Sequence, residues 1–284
     1  MMLWRDKFAF SSALFLIIVT FAALFGPSVL PDSALNMNLM ARNAPPFELE
    51  RGWMYVLGSD NLGRSLLARL VIGARYTLMI AASAVLLALV AGTILGLISG
   101  YAGGRLGNVI LRAADIVMSF PSLLLALIVL FVLSPQVSNV VLVLALSRMP
   151  IYLRTCRAEV LEIRERQFVN AARALGATHS RMVFLHILPN ALPTLMTLAT
   201  LEFAAVMLAE SSLSFLGLGV QAPAVTWGLM VADGRGYLAS AWWVSFWPGL
   251  AISLTAISAN LMANWLRTAM DPAQRWRLEG DRKS

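Results

Sequence analysis

The chain has 284 residues, of which 59% are hydrophobic and only 13% are charged, where a soluble domain typically has about 25% charged residues. These values, with a mean hydropathy of +0.74, argue against an ordinary soluble enzyme and against a disordered nucleic-acid-binding tail, despite the net charge of +7. The single cysteine excludes an internal disulfide framework, and two histidines leave little for a metal site. The composition therefore predicts a polytopic membrane protein.

Long stretches with few or no charged residues predict the membrane spans, because about 20 helical residues cross a bilayer core of about 30 Å. The run from Ile116 to Ser147 is long enough for two spans, with a natural break at Ser134-Pro135. The first run is too long for the apolar region of a signal peptide, so we expect it to be retained. The prediction is an all-α protein with six spans, at about residues 8–30, 76–104, 109–132, 138–155, 191–216 and 236–266.

The distribution of lysine and arginine predicts the orientation of these spans. With the N-terminus inside, 16 basic residues fall on the inside and 6 on the outside, so the positive-inside rule favours an N-in, C-in topology. This topology explains the net positive charge without nucleic acid. It gives an N-terminal tail with the first span (1–30), an extracytoplasmic loop (31–75), a transmembrane core (76–266) that includes a cytoplasmic loop (156–190), and a cytoplasmic tail (267–284).

Two common catalytic motifs are absent from the sequence. Lysine occurs only at positions 7 and 283, so the Gly-Lys-Ser/Thr of a P-loop cannot form. A His-Glu-x-x-His zinc motif is also missing. We therefore expect no enzyme activity, no catalytic residue, no metal site and no cofactor bound by this chain.

The cytoplasmic loop is predicted to form two short amphipathic helices joined at Gly176. Apolar residues of the first helix, about 166–175, recur at helical spacing: Phe168, Ala171, Ala172 and Leu175. Gly176 suits the left-handed position that ends a helix, and Thr178 can cap the second helix, whose apolar face would be Met182, Val183 and Ile187. Two interpretations stay open: a hairpin lying on lipid headgroups, or a rigid docking element for a cytosolic partner.

Motifs along the chain resemble ABC-transporter permeases. Asn170-Ala-Ala172, Gly176 and Ile187-Leu-Pro189 resemble the EAA loop of these proteins. Nearly the whole chain is similar to the dipeptide/oligopeptide/nickel importer branch, through Leu57-Gly-Ser-Asp-Asn-Leu-Gly-Arg64, Ser119-Phe-Pro-Ser-Leu-Leu-Leu125, Leu213-Ser-Phe-Leu-Gly-Leu-Gly219 with Trp227-Gly228, Phe246-Trp-Pro-Gly-Leu250, and Leu266-Arg with Asp271-Pro272. The chain departs from the pattern at four positions where the family usually has an acidic residue: Ser65, Asn170, Asn264 and Thr268.

The resemblance implies a type I ABC importer permease fold in the bacterial inner membrane, as the second, C-type subunit of a permease pair for peptides. Implied partners are a second homologous permease, two cytosolic ATPases that bind ATP and Mg, an extracytoplasmic substrate-binding protein, and membrane lipid. It implies that the first loop helix docks on an ATPase through Phe168, Asn170, Ala171, Ala172, Arg173, Leu175 and Gly176. Alternatives are the same transporter type carrying nickel or another small solute, and a stand-alone secondary transporter or channel, against which the docking loop argues.

Three further sets of residues are candidates for function or packing. Small residues at every fourth position let membrane helices approach closely, either within this chain or against the paired permease: Gly92, Gly96, Gly100 and Gly104. Glu202 and Glu210 in the fifth predicted span either line a translocation path or pair with polar groups of the partner subunit, with Glu210 hydrated at the outer end.

The outer segments give the last set of candidates. Asp60 is predicted to cap an amphipathic helix over about 62–72. This segment either lies on the outer leaflet or forms part of the platform for the binding protein, through Asp60, Gly63 and Arg64. Trp227, Trp242 and Trp243 are predicted to form an interfacial belt.

Overall fold

The computed structural model describes residues 6–30, 36–48 and 52–270, so most of the predicted cytoplasmic tail lies outside the described residues. Within the described ranges the chain forms nine helices: α1 (Lys7–Val29), α2 (Leu66–Ala102), α3 (Gly104–Met118), α4 (Ser122–Leu133), α5 (Val137–Ile163), α6 (Gln167–Ala174), α7 (His179–Phe215), α8 (Trp227–Gly234) and α9 (Trp243–Met270). Five of them, α1, α2, α5, α7 and α9, are long and apolar enough to cross a membrane. The all-α prediction is confirmed.

The third predicted span, 109–132, is not a single straight helix. It consists of α3 and α4, whose axes differ by 86°, so the chain has a sixth span only if this bent pair counts as one. Pro121 lies at the bend with a non-helical ψ of 125°, and a proline disfavours helical geometry in the residue before it. The break predicted at Ser134-Pro135 is confirmed, because α4 ends at Leu133 and α5 begins at Val137.

The separate outer helix predicted over 62–72 is wrong. One continuous helix, α2, begins at Leu66 and runs into the second span, and Ser65 caps it by accepting a hydrogen bond from the Ala68 amide. Asp60 belongs to the turn before it. Without a proline or a turn sequence between the predicted loop helix and the span, nothing stops helix propagation between them.

The core of the helical bundle lies where α2, α5, α7 and α9 meet. Contacts between α2 and α5 are the most extensive of any helix pair, and α1 lies outside, against α2 and α9. Most apolar side chains of α1 are exposed, as expected for a helix that faces lipid. A second, smaller buried cluster joins the ends of α2 and α5 to α6 and α7, and is called here the loop cluster: Leu97, Cys156, Val160, Ile163, Val169, Met182, Ile187, Ala191 and Leu195.

Candidate functional site

The short helix α6 is held to the membrane helices through Val169, its one fully buried residue. Val169 lies in the loop cluster, and Ala172 packs partly buried against it. Phe168 and Leu175 of the predicted apolar stripe are 42% and 89% exposed, so the rest of the chain does not cover them. The helix has two apolar faces, and periodicity alone could not show which of them the rest of the chain covers.

An apolar surface on α6 thus points away from the rest of the chain. It consists of three residues at helical spacing, Phe168, Ala171 and Leu175, called here the α6 outer face. Arg173 is exposed in the last turn, where a cation is favoured by the helix dipole. Asn170 is also exposed, and its amide Nδ2 donates to the Glu165 carbonyl at 3.4 Å. The predicted docking residues are therefore accessible, apart from the partly buried Ala172.

The turn after α6 has the geometry predicted for Gly176. Its φ is +84°, its amide donates to the Arg173 carbonyl, and the Ala177 amide donates to the Ala172 carbonyl, both at 3.0 Å. This pair of bonds satisfies helix-end carbonyls that would otherwise have no partner. The direction of the chain after α6 is therefore fixed by hydrogen bonds and not left to a flexible linker.

The second helix of the loop continues directly into the fifth predicted span. Thr178 caps it, accepting a hydrogen bond from the Arg181 amide at 3.4 Å, as predicted. Met182 and Ile187 are buried in the loop cluster. Pro189 does not separate this helix from the span, because a π-helical segment, Met182–Ile187, carries the chain into Leu188–Phe215. Pro189 lies near the start of that part, where a missing N–H costs little.

A contact between Tyr101 and His179 also fastens the loop, and sequence reasoning missed it. The Tyr101 hydroxyl at the end of α2 lies 2.7 Å from His179 Nδ1 at the start of α7, and the two rings meet edge to face. α6 is thus supported by a packed cluster and by a helix end that is tied to α2. The loop is therefore attached to the membrane helices at more than one place.

The predicted outer docking residues form a buried ionic centre. The Asp60 side chain is fully buried and accepts hydrogen bonds from the Leu62 and Arg64 amides at 2.9 and 2.8 Å. Its other oxygen pairs with Arg64 Nε at 2.7 Å and Arg69 Nη1 at 2.6 Å. Arg69 Nη2 reaches Asp233 of α8 at 3.4 Å. Docking of a partner on the Asp60 side chain is therefore excluded in this conformation, and the sequence carried no signal for the role of Arg69.

Neighbouring residues show the same inward packing. A β-carbon on Gly63 would collide with the Asn38 carbonyl, so this glycine permits a close approach of two backbone segments.

Two of the three predicted belt tryptophans, Trp227 and Trp243, are buried, whereas Trp242 is exposed. The indole Nε1 of Trp227 donates to the Leu70 carbonyl and that of Trp243 to the Ser59 carbonyl, at 2.8 and 3.2 Å. The tryptophans therefore join α8 and α9 to the outer segment.

Three of the four glycines of the small-residue stripe lie against α5 of the same chain. A β-carbon on Gly96 would lie 2.6 Å from the Cys156 Cβ, and Gly92 and Gly100 are approached as closely by other α5 residues. Gly104 lies outside this contact, at the start of α3, with open space around it. The stripe thus ends at Gly100, because α2 ends two residues later.

We expect Gly96→Ala to lower the free energy of unfolding by about 1–3 kcal/mol, because the added methyl group forces α2 and α5 apart. Gly249→Ala in α9 is the matched control, since a β-carbon there meets nothing within 4 Å and alanine is the better helix former by about 1 kcal/mol. Thermal unfolding of both purified variants in detergent measures the difference. Equal stability of the two variants would contradict this role of the stripe.

The two intramembrane glutamates have different surroundings. Glu202 Oε2 lies 3.3 Å from Arg148 Nη1 of α5, so its charge partner belongs to the same chain. Glu210 is fully buried and accepts a hydrogen bond from Ser214 Oγ at 2.8 Å. The prediction that Glu210 is hydrated at the outer end is wrong, because α8 and α9 pack over this part of α7. Arg148 could have been found from the sequence, as a charge in the middle of an apolar span.

Comparisons with known proteins agree with this architecture. A family described as "Binding-protein-dependent transport system inner membrane component" matches residues 92–276. The di/tripeptide transport system permease protein DppC of Pseudomonas aeruginosa (strain UCBPP-PA14) is 41% identical over 269 residues, which cover 94% of this chain and 89% of that protein. The dipeptide transport system permease protein DppC of Escherichia coli (strain K12) is 42% identical, with coverage of 94% and 90%.

A solved structure with a similar fold is the MetNI methionine ABC transporter in inward-facing conformations. It aligns with a TM-score of 0.55 and 20% identity over 70% of this chain and 96% of that chain. An amino acid ABC transporter gives the same TM-score at 16% identity, over 70% and 92% of the two chains. At these identities the structures show the fold alone.

Proposed function

Because the chain belongs to the family of binding-protein-dependent transport system inner membrane components, multi-pass proteins of the bacterial inner membrane, we propose that it is the C-type permease subunit of an ABC importer for di- and oligopeptides. The observation that carries the proposal is the 41% identity, over 94% of the chain, to a di/tripeptide transport permease. The chain would form half of the translocation path. ATP and Mg would bind to separate subunits.

The α6 outer face is the proposed docking surface for a cytosolic ATPase subunit. Phe168 and Leu175 offer an apolar anchor, and apolar anchors in a partner's pocket dominate the affinity of protein interfaces. The Val169 contact and the Gly176 turn make α6 rigid, so movement of the ATPase would pass to α5 and α7 and would not be absorbed in the loop. Asn170 stands where the family usually has an acidic residue, so this surface lacks that carboxylate. The helix and its turn still form with asparagine at this position.

The remaining partners are a second homologous permease and an extracytoplasmic binding protein. α4 carries strongly exposed apolar side chains, Ile128, Phe131 and Val132, which suit either lipid or the paired permease. On the outer side, the buried Asp60 centre would fix the shape of the segment on which the binding protein docks. We assign Asp60 and Gly63 this structural role and not direct contact.

Affinity purification in mild detergent, followed by reconstitution in liposomes, tests the proposal. A tagged chain should bring down a second permease and two P-loop ATPases. The reconstituted complex should take up dipeptide only when ATP is present on the ATPase side and the binding protein on the other. Purification as a monomer or homo-oligomer would contradict the proposal, as would uptake that needs neither ATP nor the binding protein.

Leu175→Glu is expected to weaken ATPase co-purification by about tenfold or more, because a charge would enter the centre of an apolar contact. The substitution leaves the fold intact, since Leu175 is 89% exposed. Leu238→Glu is the matched control: this leucine is also exposed but lies after α8, on the predicted outer side. The recovered ATPase per permease is measured by quantitative immunoblot. Equal recovery with both variants would show that α6 is not the docking surface.

A further inference from the structure

A polar groove of about 540 Å³ runs along the inner half of the bundle, between α5, α7 and α9. Thr155 and Glu159 of α5 line one wall, and Thr194 and Thr197 of α7 line another. Polar and ionisable side chains in membrane spans are costly against lipid and face a bundle interior or water. The groove is therefore a surface that water or a polar solute can occupy.

The Arg148–Glu202 ion pair extends this polar surface towards the middle of the membrane. Arg148 precedes Thr155 by nearly two helical turns, which places both on the same face of α5. Glu202 follows the groove-lining Leu198 by four residues, which places it on the same face of α7. Both charges lie near the middle of their helices, and their side chains are only 20% and 13% exposed. Holding an ion pair at this depth in the membrane costs free energy, which argues that the pair has a function.

Hydrogen bonding around this pair is incomplete. Within the described residues, the buried Arg148 Nε and Tyr152 hydroxyl have no hydrogen-bond partner, and Glu202 Oε2 has only the 3.3 Å ion pair with Arg148 Nη1. Tyr152 lies one turn after Arg148 on α5 and is fully buried. By contrast, Asp60 has partners on both of its oxygens. Since buried polar atoms are nearly always paired, the two unpaired atoms beside this single long contact leave capacity for hydrogen bonds to another polar group.

We propose that Arg148 and Glu202 recognise the charged ends of the peptide as it passes, with Arg148 pairing with the α-carboxylate and Glu202 with the α-ammonium group. The inference rests on the proposed function, because it assumes a peptide substrate. Exchanging one internal ion pair for two pairs with the substrate leaves each charge matched inside the membrane. A solute that carries only one of the two charges would leave one side chain unpaired.

Transport by the reconstituted complete complex tests this role. Arg148→Gln and Glu202→Gln are each expected to reduce dipeptide uptake about tenfold or more, since one buried charge loses its partner. The charge swap Arg148→Glu/Glu202→Arg should restore thermal stability and ATP hydrolysis but leave uptake about tenfold low, because the swapped pair no longer has the geometry for the peptide. Arg154→Gln is the matched control, because Arg154 lies on the same helix as Arg148 but forms an exposed pair with Asp115 of α3.

Uptake of end-blocked peptides gives a second readout that a purely structural pair would not change. For Glu202→Gln, uptake relative to wild type should be reduced more for a free dipeptide than for its N-acetylated form. The same binding protein serves both complexes, so its own selectivity cancels in this ratio. Full recovery of uptake by the charge swap, or equal effects on both peptides, would overturn the inference. Failure of the wild-type complex to transport any dipeptide would instead overturn the proposed function.

Discussion

In the Gly176→Pro variant, we expect peptide transport to fall about tenfold or more while ATP hydrolysis by the assembled complex continues. Proline fixes φ near −65°, whereas Gly176 has a φ of +84°. Proline also lacks the amide hydrogen that bonds to the Arg173 carbonyl. The turn between α6 and α7 would therefore reorganise. Movement of α6 by the ATPase would then no longer pass through this turn to α7. Peptide transported per ATP hydrolysed, measured in proteoliposomes, reports the effect.

A glycine at the other end of α7 supplies the matched control. Gly217 has a φ of +81°, donates to the Ser214 carbonyl, and is followed by a bond from the Leu218 amide to the Leu213 carbonyl. This turn has the same geometry as that at Gly176, and both glycines have open space around them. Gly217→Pro should reduce stability similarly yet keep the transport-to-ATP ratio of wild type. Equal uncoupling by both variants would show that damage to any such turn is enough.

Asp60→Asn is expected to lower the free energy of unfolding by about 3–5 kcal/mol, because it leaves the buried Arg69 with only the longer contact to the partly exposed Asp233. Arg69 is only 2% exposed, so water cannot replace the lost carboxylate. The asparagine keeps the size of the side chain, which separates the loss of charge from the loss of packing. Thermal and denaturant unfolding of the purified protein in detergent measure the change.

Asp233→Asn provides the comparison for Asp60. The Asp233 side chain is 33% exposed and contacts Arg69 at the longer distance of 3.4 Å. Its removal should cost less than about 1 kcal/mol, as for other solvated ion pairs. If Asp233→Asn destabilises the protein as strongly as Asp60→Asn, the ionic centre depends on the α8 contact and not on Asp60.

Local sequence features predicted the helices and the loop turn well. Stretches with few or no charged residues identified the five long helices, because most positions of a membrane span must be apolar. The Gly176 turn and the Thr178 cap were also found, since both depend on residues within one helical turn. The bend at Pro121 was missed, although the proline was visible, because apolar composition continues through it.

Tertiary contacts accounted for the larger errors. Asp60, Arg69 and Asp233 meet although 164 positions separate Arg69 from Asp233, and nothing in the local pattern indicates this contact. Trp227 was assigned to a membrane interface from its residue type, but α8 folds back onto α2 and buries it. On α6, the face that carries Val169 is buried because it packs into the loop cluster, which the local sequence pattern does not indicate. Sequence patterns therefore predicted which segments are helical better than which of their faces are covered.

The length of α2 has a mechanical consequence. This helix of 37 residues is about 55 Å long, carries Arg69 of the ionic centre near one end, and contacts His179 beside the loop through Tyr101 at the other. Its glycine contact with α5 is centred on Gly96, close to the Tyr101 end, so pivoting by about 5° there would displace the Arg69 end by about 4 Å and the Tyr101 end by less than about 1 Å in the opposite direction. A helix pivoted this far from its centre acts as a lever, so a small movement at the loop would become a larger and opposite movement at the ionic centre.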